Sequence, residues 1–182
     1  MKKEENVLKL FFNEPLKPWH FEQILTKGKI SRPQASVWLK KFLREQLITK
    51  INPKGKKPYY VADYESPNYQ NSKRITALQK LHQSGLLNYL CSIKEAECVI
   101  LFGSFSRWDW YEESDIDLFI YGDVHPLNLF PFKSKLHHEI QVFYAKKQKD
   151  LQKLGPALLR NIIKGIKIKG EIPLGVIKHA SS

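Results

Sequence analysis

The chain has 182 residues, carries 30 Lys and Arg against 18 Asp and Glu, and is formally +12 at neutral pH. That length can bury a genuine core in one medium domain or two small ones. A 42% hydrophobic content, with ten prolines scattered without a repeat, excludes wholesale disorder. The basic excess makes polyanions such as nucleic acid expected partners. The Lys2-Lys3-Glu4-Glu5 start leads into no long apolar run, so no signal peptide is expected. No segment approaches the roughly 20 apolar residues of a membrane span, so no membrane partner is expected either. Cys91 and Cys98 lack the paired spacing of a zinc site and are read as reduced, buried thiols of a cytoplasmic protein.

In chain order, Val7, Leu10 and Phe11 at i, i+3, i+4 predict a first helix over residues 4–13, broken by Pro15 and Pro18. Phe21, Ile24 and Leu25 line a second short helix that ends near Lys27-Gly28. Ser31-Arg32-Pro33-Gln34 then opens a third: Ser31 is the N-cap, Pro33 is tolerated in the first turn, and Gln34 completes a capping box. Its apolar stripe is Ala35, Trp38, Leu39, Phe42 and Leu43. After Gln46 the period becomes 2. Leu47–Ile51 and Pro58–Val61 read as a β-hairpin whose tip holds Lys54, Gly55, Lys56 and Lys57.

Three short helices followed by a basic hairpin resemble a winged helix-turn-helix. The resemblance implies that Arg32, Gln34, Ser36 and Lys40 on the third helix face a nucleic-acid groove, and that Lys54, Lys56 and Lys57 meet phosphates of duplex DNA or RNA. Such modules also serve in dimerisation and protein docking, and hairpin-tip lysines are commonly just solvated. Residues 1–66 hold 14 Lys and Arg against 7 Asp and Glu, which supports the nucleic-acid reading.

From Pro67 to about Lys94 the pattern is helical, with Ile75, Leu78, Leu86, Leu87, Leu90 and Ile93 as apolar positions and Ser84-Gly85 as a kink or split. Cys98–Phe102 is then nearly all apolar, as expected of a strand covered on both faces. It stops at Gly103-Ser104. Ten residues later comes Asp115-Ile116-Asp117 at the head of a second apolar run. Strand alternation puts Asp115 and Asp117 on one face and Ile116, Leu118 and Ile120 on the other. Two like charges side by side repel unless a cation lies between them. Residues 103–123 hold six carboxylates and one base, Arg107, an acidic island in a basic chain that suits a cation site. Asp109, Glu112 and Glu113 in that island read more simply as a solvated loop.

Gly103-Ser104, Arg107 and Ser114-Asp115-Ile116-Asp117-Leu118, in that spacing and those strand contexts, are similar to the signature of the nucleotidyltransferase superfamily related to DNA polymerase beta. The likeness is to its minimal prokaryotic, antitoxin-like members. It implies a magnesium (or manganese) site at Asp115 and Asp117. It also implies an NTP, expected to be ATP, bound through Gly103, Ser104, Arg107 and Ser114. Trp108 stands where the family has a small residue, and with Trp110 and Tyr111 it could cover a pocket or narrow the site. The family places a third carboxylate on the neighbouring strand, here His138–Tyr144. By the family's rhythm the acid belongs at 141, where this chain has Gln141. Glu139 shares that face and is the candidate substitute, although it lies roughly 6–7 Å back along the strand.

His137-His138 would point to opposite faces of a strand and is not expected to bind metal. Residues 148–155 and the stretch opened by Pro156 read as helices, and 165–170 as a short strand.

The sequence therefore predicts an α+β protein. A winged helix spans 1–66, a linking helix 67–94, a minimal nucleotidyltransferase domain with a small mixed sheet flanked by helices 95–170, and a tail 171–182. The expected activity is metal-dependent transfer of NMP from an NTP to an acceptor hydroxyl, with a partner protein as one such acceptor and an oligomer open. The alternative is a DNA-binding regulator whose transferase-like domain binds nucleotide or partner without turnover.

Overall fold

The structure is a computed structural model and describes residues 3–172. The chain divides into two compact units. Among the described residues, one comprises 3–73 with Trp110–Glu112; the other comprises Arg74–Asp109 and 113–172.

Unit 1 begins with three helices, α1 (Lys3–Asn13), α2 (Phe21–Gly28) and α3 (Arg32–Arg44). Each buries the residues its periodicity offers: Val7, Phe11 and Phe12 from α1, Ile24 from α2, and Ala35, Leu39 and Phe42 from α3. The start of α3 is fixed by its cap, where the Ser31 N–H donates to Gln34 Oε1 at 3.1 Å. Strands β1 (Ile48–Ile51) and β2 (Tyr59–Ala62) pair antiparallel with Ile51 opposite Tyr59. Trp19 adds a single bridge to the outer edge of β2, exchanging two backbone hydrogen bonds of 2.8 and 2.9 Å with Tyr60. This bridge has no periodic signature, because one residue cannot alternate.

Helix α4 (Pro67–Ser84) and helix α5 (Leu86–Ser92) are separated at Gly85, whose φ of +86° a side chain would resist. The buried positions of α4 depart from expectation. Ile75 is 56% exposed, whereas Tyr69, Lys73, Ala77 and Leu81 are essentially buried. They fall at i, i+4, i+8 and i+12, so the buried stripe is made with a tyrosine and a lysine as well as the aliphatics. Within unit 1 the Tyr69 hydroxyl donates to the Phe11 carbonyl at 3.0 Å, and the ammonium of Lys73 lies 4.8 Å from the Trp110 ring centroid. Trp110 is wholly buried and meets Phe12 edge-on at 6.2 Å. It therefore serves the core of unit 1.

Unit 2 is a four-stranded mixed sheet of β3 (Ala96–Phe102), β4 (Ile116–Gly122), β5 (Ile140–Ala145) and β6 (Ile166–Lys169), in the order β5-β4-β3-β6. β3 runs antiparallel to both β4 and β6, and β4 runs parallel to β5. The short helix α6 (Gly103–Ser106) follows β3, α7 (Phe130–Leu136) lies in the β4–β5 crossover, and α8 (Gln148–Gln152) and α9 (Pro156–Ile163) precede β6. One face of the sheet builds a core from Cys98, Ile100, Phe102, Phe119 and Tyr121 against Leu151, Leu159 and Ile162. Burial first, with Glu171 adding to it, pushes the Cys98 thiol up to about 11, so it stays a thiol; Cys91, by contrast, is exposed. The expected tail from residue 171 falls mostly outside the described residues. No helix among the described residues is long and apolar enough to cross a membrane.

Candidate functional site

Antiparallel pairing sets Asp117 opposite Phe102, and parallel pairing sets it opposite Gln141. Asp117 thus lies at the end of the face that continues through Phe119 and Tyr121, where helix cover gives out and the carboxylate is half-exposed. Asp115 precedes β4 by one residue and shares that side. The geometry needs a glycine after β3. Gly103 has φ +69°, and a Cβ there would stand 2.0 Å from Asp117 Oδ2, closer than any non-bonded approach allows. Gly103 therefore lets the carboxylate lie against the backbone that opens α6, which is a packing reason for the glycine independent of any ligand.

Electrostatics strain the pair. The Asp117 carboxyl is raised above its ordinary range, chiefly because it is partly withdrawn from water and secondly because Asp115 is beside it, with Arg107 acting in the opposite direction. Arg107 itself is bound to Asp109, with Nε 3.0 Å from Oδ1 and Nη2 2.9 Å from Oδ2. That fork keeps the guanidinium firmly charged. A half-exposed side chain of this kind can exchange Asp109 for a phosphate at modest cost. Ser104 is half-buried and its carbonyl accepts from the Arg107 N–H at 3.1 Å, which closes the turn of α6. Ser114 is buried, and its carbonyl accepts from His138 Nδ1 at 2.8 Å.

His138 was absent from the candidate residues. It is buried, stacks edge-on to Phe105 with centroids 4.8 Å apart, and ties the residue before Asp115 to the approach of β5. His137 is the C-cap of α7 with φ +56° and is not on a strand. The alternation that sequence assigns to the two histidines therefore does not apply.

On β5 the side chain of Gln141 turns to the pair, and its Nε2 donates to Asp115 Oδ2 at 2.5 Å. The Glu139 carboxylate is engaged elsewhere, with Lys133 Nζ of α7 at 2.5 Å, while the Glu139 carbonyl accepts from the Ile116 N–H at 2.8 Å. Among the described residues no group of three or more His, Cys, Asp or Glu is placed to hold a metal, so Glu139 does not complete a cluster with Asp115 and Asp117. A pair of carboxylates nonetheless suits a magnesium ion, which takes one or two carboxylates and draws its other ligands from water and substrate phosphates. The mutual repulsion within the pair is relieved by such a cation.

The nucleic-acid candidates lie in unit 1. Arg32, Ser36 and Lys40 form an exposed stripe on α3, while Gln34 spends its amide oxygen on the helix cap. Arg32 pairs with Glu22 at 2.8 Å. Lys54, Lys56 and Lys57 are all exposed at the β1–β2 turn.

A strand ending in Gly-Ser, a paired strand carrying Asp-x-Asp, and a parallel third strand beside it are consistent with one class, the nucleotidyltransferase fold. Residues 85–171 match the family described as Polymerase beta, Nucleotidyltransferase, so this part of the chain carries a nucleotidyltransferase domain of that type. Among solved structures the chain is similar to the crystal structure of a mutant of the toxin–antitoxin MntA–HpeT. The identity is 15% and the TM-score 0.35, over 59% of this chain and 81% of that one. No curated protein matches the chain significantly.

Proposed function

We propose that unit 2 transfers a nucleoside monophosphate from an NTP, ATP by expectation, to an acceptor hydroxyl. The observation that carries the reading is the Asp115–Asp117 pair, with Asp117 held against Gly103, within a segment that matches a nucleotidyltransferase family. Asp115 and Asp117 would hold a magnesium or manganese ion, which in such sites neutralises phosphate charge and acidifies an attacking hydroxyl. Gly103 and the Ser104 hydroxyl would receive the terminal phosphates, and Arg107 would leave Asp109 to neutralise them. Ser114 and His138 would position Asp115. A hydroxyl presented by a partner protein is one acceptor this reading admits.

Unit 1 is proposed to be a winged helix that contacts duplex DNA or RNA, with Arg32, Ser36 and Lys40 toward a groove and Lys54, Lys56 and Lys57 on phosphates. The local charge and the exposure of those side chains support it.

A specific observation supports a second reading. Gln141 occupies the strand position opposite Asp117 and donates to Asp115, while Glu139 is tied to Lys133. A neutral amide in that place favours nucleotide binding without turnover, in a regulator that senses its ligand. Incubation with labelled NTPs and magnesium, alone and with cell lysate, separates the two. Label transferred by the wild type and lost in Asp115→Ala/Asp117→Ala supports the transferase. Saturable nucleotide binding with no transferred label supports the sensor.

A further inference from the structure

The side of unit 1 between the start of α2 and the β1–β2 hairpin contains two adjoining cavities, of about 430 and 480 Å³. Both are within the range of small-ligand sites. They share His20 and Lys57, which stand on the divide. Lys50 and Tyr60 line the first, and Lys56 and Tyr59 line the second.

This distribution follows from strand alternation. Tyr59 and Tyr60 are consecutive in β2, so their rings leave the strand on opposite sides and each cavity receives one. The divide is fixed as well, since His20 Nδ1 donates to the Pro58 carbonyl at 3.0 Å and the His20 ring meets Tyr59 edge-on at 6.0 Å. Each chamber therefore offers an aromatic ring and its own lysine, with Lys57 common to both. The one carboxylate in the lining, Glu22, is neutralised by Arg32 at 2.8 Å. Among the described residues Lys50, Lys56 and Lys57 form no ion pair; Lys50 lies 5.9 Å from the Tyr60 ring centroid and shares that ring with a stacked base, while Lys56 and Lys57 are available to phosphates.

Alternating aromatic rings and lysines at a recessed surface fit unpaired nucleotides, whose base faces can stack while the linking phosphates meet the cations. A duplex keeps its bases stacked on one another and could present only phosphates here. We propose that these paired chambers bind single-stranded nucleic acid, taking two consecutive unpaired bases against Tyr59 and Tyr60 with the phosphate between them on Lys57. The site is separate from the α3 stripe but draws on Lys56 and Lys57, so a single strand and a duplex would compete for those two lysines. It does not depend on nucleotidyl transfer, because binding is read without any NTP.

The test is fluorescence anisotropy of the full chain with a labelled oligothymidine, a duplex of equal length and a labelled poly-glutamate. The single strand is expected to bind more tightly than the duplex at the same salt, and poly-glutamate far more weakly. Tyr59→Leu and Tyr60→Leu, which keep apolar bulk, should each weaken single-strand binding about tenfold while leaving duplex binding unchanged. Lys57→Gln, an exposed change that leaves the fold intact, should reduce the salt slope by about 0.7. Duplex bound as tightly as single strand would overturn the proposal. So would tyrosine variants that retain wild-type affinity and thermal stability, or poly-glutamate bound as well as oligothymidine. The last would mark a protein-docking surface.

Discussion

Asp117 is a residue whose folded surroundings oppose its own charge. Its carboxyl is raised in the folded chain, so the native state holds the proton more firmly than the unfolded state does. The resulting stability is full below the unfolded carboxylate value, near 3.9, and is lost as pH rises through the higher folded value. Asp117→Asn removes the charge and with it the loss. The variant should melt close to the wild type near pH 4 and above it near pH 7, and magnesium should raise the wild-type Tm while leaving the variant unmoved. Equal melting temperatures at both pH values, with equal magnesium responses, would refute the account. Gln141 supplies the complementary test. Gln141→Asp exchanges a donor for a third carboxylate, and the crowding should cost about 1 kcal/mol without metal, or roughly 2–4 °C in Tm. Magnesium should restore it, and transfer of labelled NMP should rise above wild type. A Tm indifferent to the substitution and to magnesium would show that position 141 is remote from the cation. That position 141 stands beside Asp117 was legible only through the family resemblance, because alternation puts Glu139, Gln141 and Phe143 on one face without choosing among them. That Glu139 is bound to Lys133 was not legible, since Lys133 arrives from a helix in the crossover and no pattern in β5 announces it.

At the scale of elements, strong local signals carried well and mixed ones did not. The Ser31–Gln34 cap set the start of α3, and the apolar runs of β3 and β4 marked two central strands. Helix α4 was legible as a helix but not by face. An unbroken search for aliphatics selects Ile75, whereas burial selects Tyr69, Lys73, Ala77 and Leu81. The reason is physical: a lysine stem and a tyrosine ring can be buried when their polar ends are accommodated, and periodicity of aliphatics alone does not count them. The two leucine-sized positions can be told apart by substitution. Leu81→Ala should cost about 2–5 kcal/mol, as expected for a buried large-to-small change, and Ile75→Ala no more than about 0.5 kcal/mol. Denaturant unfolding measures both, and comparable losses would mean that the face of α4 is misassigned.

At the scale of the whole chain, the two units are not two intervals of sequence, because Trp110–Glu112 interrupts the nucleotidyltransferase segment and belongs to unit 1. In the sequence Trp110 stands with Trp108 and Tyr111 as an aromatic cluster expected either to cover a pocket or to narrow the site. Its burial has a different meaning. The indole is wholly buried, Phe12 meets it edge-on and Lys73 lies over its ring, so its removal empties a large volume next to two groups that fit it. Trp110→Ala should therefore destabilise unit 1 by about 3–5 kcal/mol. Hydrogen exchange followed by mass spectrometry should place the loss of protection in α1 and the first half of α4, with β3 and β4 retaining theirs. Trp110→Phe, which keeps an aromatic edge for Phe12 and a face for Lys73, should recover most of the protection. If Trp110→Ala instead left α1 and α4 protected and abolished nucleotide binding alone, the indole would belong to the site that the sequence first suggested.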